Sequence, residues 1–440
     1  MHKLVLALVL GLATSAAAQQ ELWVDPVNGL DTDPGTFTQP LRTLGMAVGL
    51  AGPGAKIHLL AGTYGPTFNG EALPIRIGQT SQAGLVVRGV GNVVFDLAGS
   101  AATVFCFVNG ANGARLTNLT IQNTDQAGWW TRAINSGTGV NSGNAAMSVE
   151  IDRCRFLNIN RGLVLWTSDV VTGWQIHDNL FVNCSNDAIL EYSGTNDIAG
   201  NTFHGGIYKA YISDSITSRC HNNLIAGYGI GFENNMNGAP LSRYQGNWLW
   251  QCAITHQGSG MAGTLPATNR IGVDPLLVNP AGGDYHVQAA SPTIDAGVLG
   301  TLARADLDAN ARLVDGDGDG MLETDVGCYE RTPVHLSVNW DPVSLLMWID
   351  GTTTLPGSYG FVLFSFDDGL ISFPGQGPIL IDQPSFIPFW LSGPLPTQWV
   401  ISLSGYTWPP GQRFVMQILG VGPNHVGSAL FGGNQVWVQL

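Results

Sequence analysis

Between residues 149 and 255 the apolar positions of the chain recur with a period of a little over twenty residues, and each period carries one short pattern. Ile151–Phe156 (IDRCRF), Ile176–Phe181 (IHDNLF) and Ile198–Phe203 (IAGNTF) all read apolar-x-x-anchor-x-apolar, and Cys220–Ile225 (CHNNLI) and Tyr244–Leu249 (YQGNWL) continue the series. The anchors at 154, 179, 201, 223 and 247 stand 25, 22, 22 and 24 residues apart, and the last four of them are Asn. Leu116–Ile121 (LTNLTI) fits one unit earlier, with Leu119 in the anchor slot and an insertion after it. A period near 22 with two-residue alternation is not a helical repeat. Each unit is one coil of a solenoid whose apolar side meets the coils above and below. Parallel strands stack about 4.8 Å apart, so like residues form columns along the axis. A column of Asn at a turn has a physical reason, since each side chain can bond its own backbone and the amide of the next Asn, satisfying groups that the turn exposes.

The strand that follows each anchor can be stacked in the same way. Taking Leu163/Leu165, Ala188/Leu190, Ala210/Ile212, Ile230/Phe232 and Cys252/Ile254 as inward pairs sends their neighbours outward. One outward column then reads Trp166, Glu191, Ser213, Glu233, Thr255; a second reads Gly162, Asp187, Lys209, Gly229, Gln251; a third reads Val164, Ile189, Tyr211, Gly231, Ala253. After Pro333 the pattern changes. Residues 334 to 440 carry short apolar runs broken by Pro and Gly, such as Phe361–Phe364 and Trp399–Leu403, which predict a small β-sandwich ending in a strand over 435–440. The first eighteen residues predict a removable export signal: His2 and Lys3, the apolar run Leu4–Leu12, then Ala16–Ala18 as a small-residue cleavage site. The expected domains are therefore 1–18 signal peptide, 19–332 solenoid and 333–440 C-terminal sandwich. No stretch after the signal is long enough to predict a membrane-spanning helix.

Composition sharpens the picture. The 440 residues include 58 Gly, only 11% are charged, and the formal net charge is -14. Such a chain suits a β-rich fold with many tight turns, and its charge repels nucleic acid and anionic membranes. Lys56 and Lys209 are the only lysines after residue 3. The six cysteines, at 106, 154, 184, 220, 252 and 328, show neither zinc nor redox spacing and are expected to be mostly buried packing residues.

Trp23–Asp31 (WVDPVNGLD), Asp33–Thr36, Pro40-Leu41, Thr43-Leu44 and Ala61–Tyr64 (AGTY) resemble the opening of secreted pectate-lyase-like β-helix proteins. Asp274–Leu277 (DPLL), Ser291–Gly297 (SPTIDAG) and Asp325–Glu330 (DVGCYE) resemble the closing turn of that group, as found in bacterial surface proteins with varied anchors. The resemblance covers roughly residues 22 to 331. It implies a right-handed parallel β-helix in an extracellular or cell-surface location, which with the sandwich expected after it makes the fold all-β.

Two constellations carry candidate chemistry. In the stacked columns Glu191 and Glu233 fall two coils apart, about 9.6 Å by strand spacing, near the upper end for an inverting glycosidase. Lys209 beside Glu191 would keep that carboxyl ionised as base and leave Glu233 as acid. Asp187 would neighbour Lys209, and Trp166 and Tyr211 could stack on sugars, with Trp129-Trp130 overhanging. For a lyase, Lys209 and Arg219 are the available cations. The bland reading of the same face is a polar outer sheet with a surface ion pair. The function expected is binding or cleavage of an extracellular polysaccharide along this face, by hydrolysis or elimination; the rival is a non-catalytic surface or adhesion protein with the solenoid as spacer. The second constellation is Asp315-Gly-Asp317-Gly-Asp319-Gly320, which has the 1, 3, 5 and 6 positions of a calcium loop with Glu323 at 9 and Val326 where the bidentate Glu would stand. It predicts a structural Ca²⁺, against a plain acidic turn.

Overall fold

The computed structural model describes residues 19–332 except 80, 129–130, 138–144, 166–170, 193, 299–304, 318 and 320, and beyond 332 the backbone of the strands alone. The expected export signal, Trp166 and the Trp129-Trp130 pair lie outside the described residues.

The body is a right-handed parallel β-helix with three faces. One face stacks Arg115–Thr117, Glu150–Asp152, Gln175–His177, Asp197–Ala199, Arg219–His221 and Tyr244–Gln245. The second stacks Thr120–Gln122, Arg155–Leu157, Leu180–Val182, Thr202–His204, Leu224–Ala226, Trp248–Trp250 and Arg270–Ile271. The long strands Lys56–Tyr64 and Val86–Asp96 run through both at the N-terminal end. The third face holds eight strands, from Ile75–Ile77 to Ile254–Gln257, and carries the candidate site.

Between the first and second faces the chain turns sharply at one left-handed residue per coil: Asn118, Arg153, Asp178, Gly200, Asn222 and Gly246. The anchor follows it immediately, and the anchors form the expected ladder. The Asn179, Asn201, Asn223 and Asn247 side chains are fully buried. The backbone N–H of Asn179 donates to Asn201 Oδ1 at 3.0 Å, that of Asn201 to Asn223 Oδ1 at 3.0 Å and that of Asn223 to Asn247 Oδ1 at 3.0 Å. Each Nδ2 also reaches back to a strand carbonyl, as from Asn201 to Ile176 O at 2.9 Å. The ladder runs one coil further than the repeat suggested, since Asn269 Oδ1 accepts from Asn247 N at 3.0 Å. Two residues past the anchor, Phe156, Phe181 and Phe203 stack with centroids 4.7 and 4.9 Å apart. All six cysteines are free, and only Cys252 is less than buried.

A helix, Leu44–Leu50, lies near the N-terminal end. Thr43 Oγ1 caps it by accepting from Met46 N at 3.2 Å, and the Glu71 carboxylate accepts from the first two amides, of Leu44 at 2.7 Å and Gly45 at 2.8 Å. Its Leu44, Ala47 and Val48 join the solenoid core. At the other end, parallel pairing stops at Arg270–Ile271, and Leu277–Asn279 pairs antiparallel with Asp284–Val287. The segment that follows straps the turn between the first two faces. Arg312 is buried there and donates to Asp178, Glu330 and the Gly200 and Gly327 carbonyls. Beyond it, Val334–Asp341, Leu346–Thr353 and Thr397–Ser402 form one antiparallel sheet. Phe386–Pro394, Tyr359–Ser365, Arg413–Val421 and Phe431–Gln439 form another, the make-up of a small sandwich. No described helix is long and apolar enough to cross a membrane.

Candidate functional site

On the third face the strands keep a continuous register, in which Leu163, Ile189, Tyr211 and Phe232 form one column and Val164, Leu190, Ile212 and Glu233 the next. The first column belongs to the solenoid core, whereas Val164, Leu190 and Ile212 make a separate apolar cluster on the opposite side. This corrects the phase expected from alternation, which put Leu190 and Ile212 inside. The cause is the bend into the face. Ala188 and Ile189 are both core residues, as are Ala210 and Tyr211, so alternation resumes one residue late.

The shift redistributes the expected catalytic residues. Glu191 pairs with Leu165 and Ser213, and Ser213 with Asn234, so Glu191 and Glu233 do not share a column. Glu191 is fully buried. Its carboxylate accepts from Tyr211 and Ser218 hydroxyls, from Ser213 Oγ at 2.9 Å and from Asn196 Nδ2 at 2.7 Å. Ringed by four donors inside the coil, it ties the strand to the turn after it and meets no ligand from outside. Tyr211 is buried beside it and does not present its ring to solvent. Burial and the Glu191 charge hold its hydroxyl far above the usual tyrosine range.

Outside the coil a different set converges. Arg161 stands opposite Arg132, and extending the register by two residues from Leu163 and Ile189 puts Asp187 beside Arg161 and Lys209 beside Asp187. Arg161 Nε donates to Asp187 Oδ2 at 3.1 Å, while the buried Oδ1 of Asp187 has no partner. Lys209 Nζ donates to Glu233 Oε1 at 2.7 Å, reaching along the next strand from Ile230, its partner in the register, to a residue three positions on. Glu233 also accepts from Asn235 Nδ2 at 3.1 Å and from Gln257. Lys209 lies 4.6 Å from the centre of the Tyr208 ring, which is about half exposed.

The two carboxyls are pushed in opposite directions. Burial raises the Asp187 carboxyl, against the pull of Arg161 and Lys209, and the Glu233 charge adds to the rise. Burial would raise Glu233 too, but hydrogen bonds from Lys209, Gln257 and Asn235 outweigh it and the net shift is downward. Lys209 thus pairs with Glu233 and not with Glu191, the reverse of the expected pairing. Asp187 next to Lys209 was legible in the sequence. Arg161, Arg132, Tyr208, Asn235 and Gln257 were not, although shifting the column by one residue places Arg161 directly before Asp187.

In the acidic run, Asp315 and Asp317 come together with Asp295, their ligand oxygens all within 4.8 Å of one another. Asp319 and Glu323 do not join this group; Asp319 Oδ1 accepts from Met321 N at 2.7 Å and Glu323 N donates to Val314 O at 3.2 Å. Asp295 receives the Asp317 amide at 2.8 Å, and burial together with the charge of Asp325 raises its carboxyl to about 7. Three converging carboxylates are an all-oxygen donor set of the kind a hard cation takes.

Residues 27–247 match the model of a family described as "Protein of unknown function (DUF1565)". Among solved structures, the pectate lyase Pel9A is 13% identical at a TM-score of 0.37, over 71% of this chain and 97% of that one. The GH136 lacto-N-biosidase from Eubacterium ramulus is 10% identical at a TM-score of 0.35, over 58% of this chain and 68% of that one. A rhamnogalacturonan lyase is 14% identical at a TM-score of 0.21, over 58% and 65%. No curated protein matches the sequence.

Proposed function

The chain belongs to the DUF1565 family, whose description assigns no reaction, and from its own side chains we propose that it binds an extracellular polysaccharide along the third face and hydrolyses it beside Lys209. One observation carries the reading: Asp187 and Glu233 flank Lys209, with environments that push their carboxyls apart. Their strands are two coils apart, and Glu233 stands three residues along from Ile230, the residue in register with Lys209, so it is the Lys209 side chain bonded to Glu233 that bridges the two carboxyl positions, with room for a water between substrate and base. Asp187, its carboxyl raised and its buried Oδ1 without a partner, donates the proton to the leaving glycosidic oxygen once substrate binding uncovers that atom. Glu233, held ionised, takes a proton from the water that adds to the anomeric carbon. The exposed ring of Tyr208 offers a stacking platform next to them.

The test is incubation of the mature protein with a panel of plant, algal and bacterial polysaccharides. New reducing ends are expected, and they should vanish in both Glu233→Gln and Asp187→Asn while folding is kept. Unsaturated ends would replace hydrolysis by elimination. Neither cleavage nor glycan binding would leave the rigid surface spacer as the function. A Ca²⁺ held by Asp295, Asp315 and Asp317 belongs to the same proposal in a structural role, since it would neutralise three carboxylates in the closing segment.

A further inference from the structure

On the opposite side of the molecule from the third face, the left-handed turn slot before each anchor is occupied by Asn118, Asp178, Gly200, Asn222 and Gly246, with one exception, Arg153. Gly, Asn and Asp tolerate this conformation; a long side chain has no local reason to be there. Arg153 sits at φ 51° and is buried, so its side chain and not its backbone preference accounts for the position.

That side chain lines a cavity of about 250 Å³ between the turn and the closing segment, together with Arg88, Arg155, Asn118, Leu307 and Asp308. Arg88 comes from the long strand Val86–Asp96, two coils before Arg155. Three arginines lining one small cavity are unexpected in a chain of net charge -14. The one acid lining it, Asp308, has both oxygens engaged: Arg155 Nη2 stands 3.0 Å from Oδ1 and His286 Nε2 2.7 Å from Oδ2. Arg153 is held in place by Thr117 Oγ1 at 3.2 Å and Asp152 at 3.2 Å, with Asp152 shared by Arg115 at 2.7 Å.

We infer that this cavity is an oxyanion site, taking a phosphate or sulfate group between Arg88, Arg153 and Arg155. Planar guanidinium forks match such oxygens with paired charge-assisted hydrogen bonds, and a cavity of this size admits the group with part of what bears it or with water. The site lies away from Asp187 and Glu233 and stands whether or not the protein cleaves a glycan. The group has two sources of the same chemistry, a free ion or an ester on a polymer.

Calorimetric titration of the full-length mature protein with sodium phosphate, with sodium sulfate and with a sulfated galactan, at ionic strength fixed by chloride, tests it. Saturable binding of at least one probe is expected, with at least tenfold weaker affinity in Arg153→Asn, a substitution that restores the residue type the turn prefers. Free-ion binding as tight as the galactan's assigns the small anion, and much tighter galactan binding assigns the polymer-borne ester. Arg155→Gln serves as a second variant should Arg153→Asn fail to fold. No saturable binding by any probe, or parental affinity in the folded variant, would overturn the assignment.

Discussion

Replacing Asn201 by Leu tests the Asn ladder at its centre. The Asn201 side chain accepts from the backbone N–H of Asn179 at 3.0 Å and from Asn179 Nδ2 at 3.0 Å, and it donates to Ile176 O at 2.9 Å, Ala199 O at 3.1 Å and Asn223 Oδ1 at 3.0 Å. Leu is of similar size but can neither accept nor donate. Some partners keep other bonds: Asn179 Nδ2 still reaches Ile151 O, and Asn223 Oδ1 still receives Asn201 N. Two groups lose most, the Asn179 amide and the Ile176 carbonyl, and water has no access because Asn179 and Asn201 are fully buried. At about 1–3 kcal/mol for each buried group left unsatisfied, the loss is about 2–6 kcal/mol, reduced slightly by the apolar surface Leu gains. The assay is equilibrium urea denaturation followed by far-UV circular dichroism, with Asn183→Gly as control. Asn183 has the left-handed backbone that Gly tolerates, and its side chain is exposed, so the control should stay within about 0.5 kcal/mol. If Asn201→Leu matched the control, the ladder would be decoration on a fold held by apolar stacking alone.

Two other outcomes follow from the ionic groups. His177 is buried; desolvation pulls its pKa down, but hydrogen bonds to Asp178 at 2.7 Å and Glu150 at 3.1 Å and the charge of Asp152 raise it to about 9. A folded-state pKa above the unfolded value near 6.5 contributes stability that is complete below about 6.5 and lost as pH rises through about 9. The stability advantage of the parent over His177→Gln should therefore be on the order of 2–3 kcal/mol at pH 6 and shrink towards pH 10; a pH-independent difference would refute the charged imidazolium. If Asp295, Asp315 and Asp317 hold calcium, chelation should lower the melting temperature of the parent and leave Asp317→Ala unmoved, and identical parental curves with and without chelator would reduce the run to an acidic turn.

The β-helix was legible because its interactions repeat. In a solenoid each coil meets only its neighbours, so any residue satisfying a group in the next coil must recur at the coil period. Asn179, Asn201, Asn223 and Asn247 recur for that reason, as do Phe156, Phe181 and Phe203, and Asn269 was open to the same reading 22 residues beyond Asn247. The helix Leu44–Leu50 escaped because a single capped helix of about two turns has no repeat to announce it, and its partner Glu71 lies 27 residues on from Leu44. The candidate site was only half legible. That Asp187 and Lys209 are neighbours follows from the period, but which way Glu191 and Tyr211 point depends on a bend at Ala188–Ile189 and Ala210–Tyr211, where two successive residues turn inward. Alanine fits either side of a strand, so nothing in its neighbourhood along the chain fixes that phase; packing against the opposite faces does. The same holds for contacts between distant segments. Arg312 meets Asp178 across 134 residues, and Asp295 meets Asp315 and Asp317, only because the closing segment folds back on the finished coils. Local repetition set the coil, and the folded chain alone decided which charges face one another on its surface.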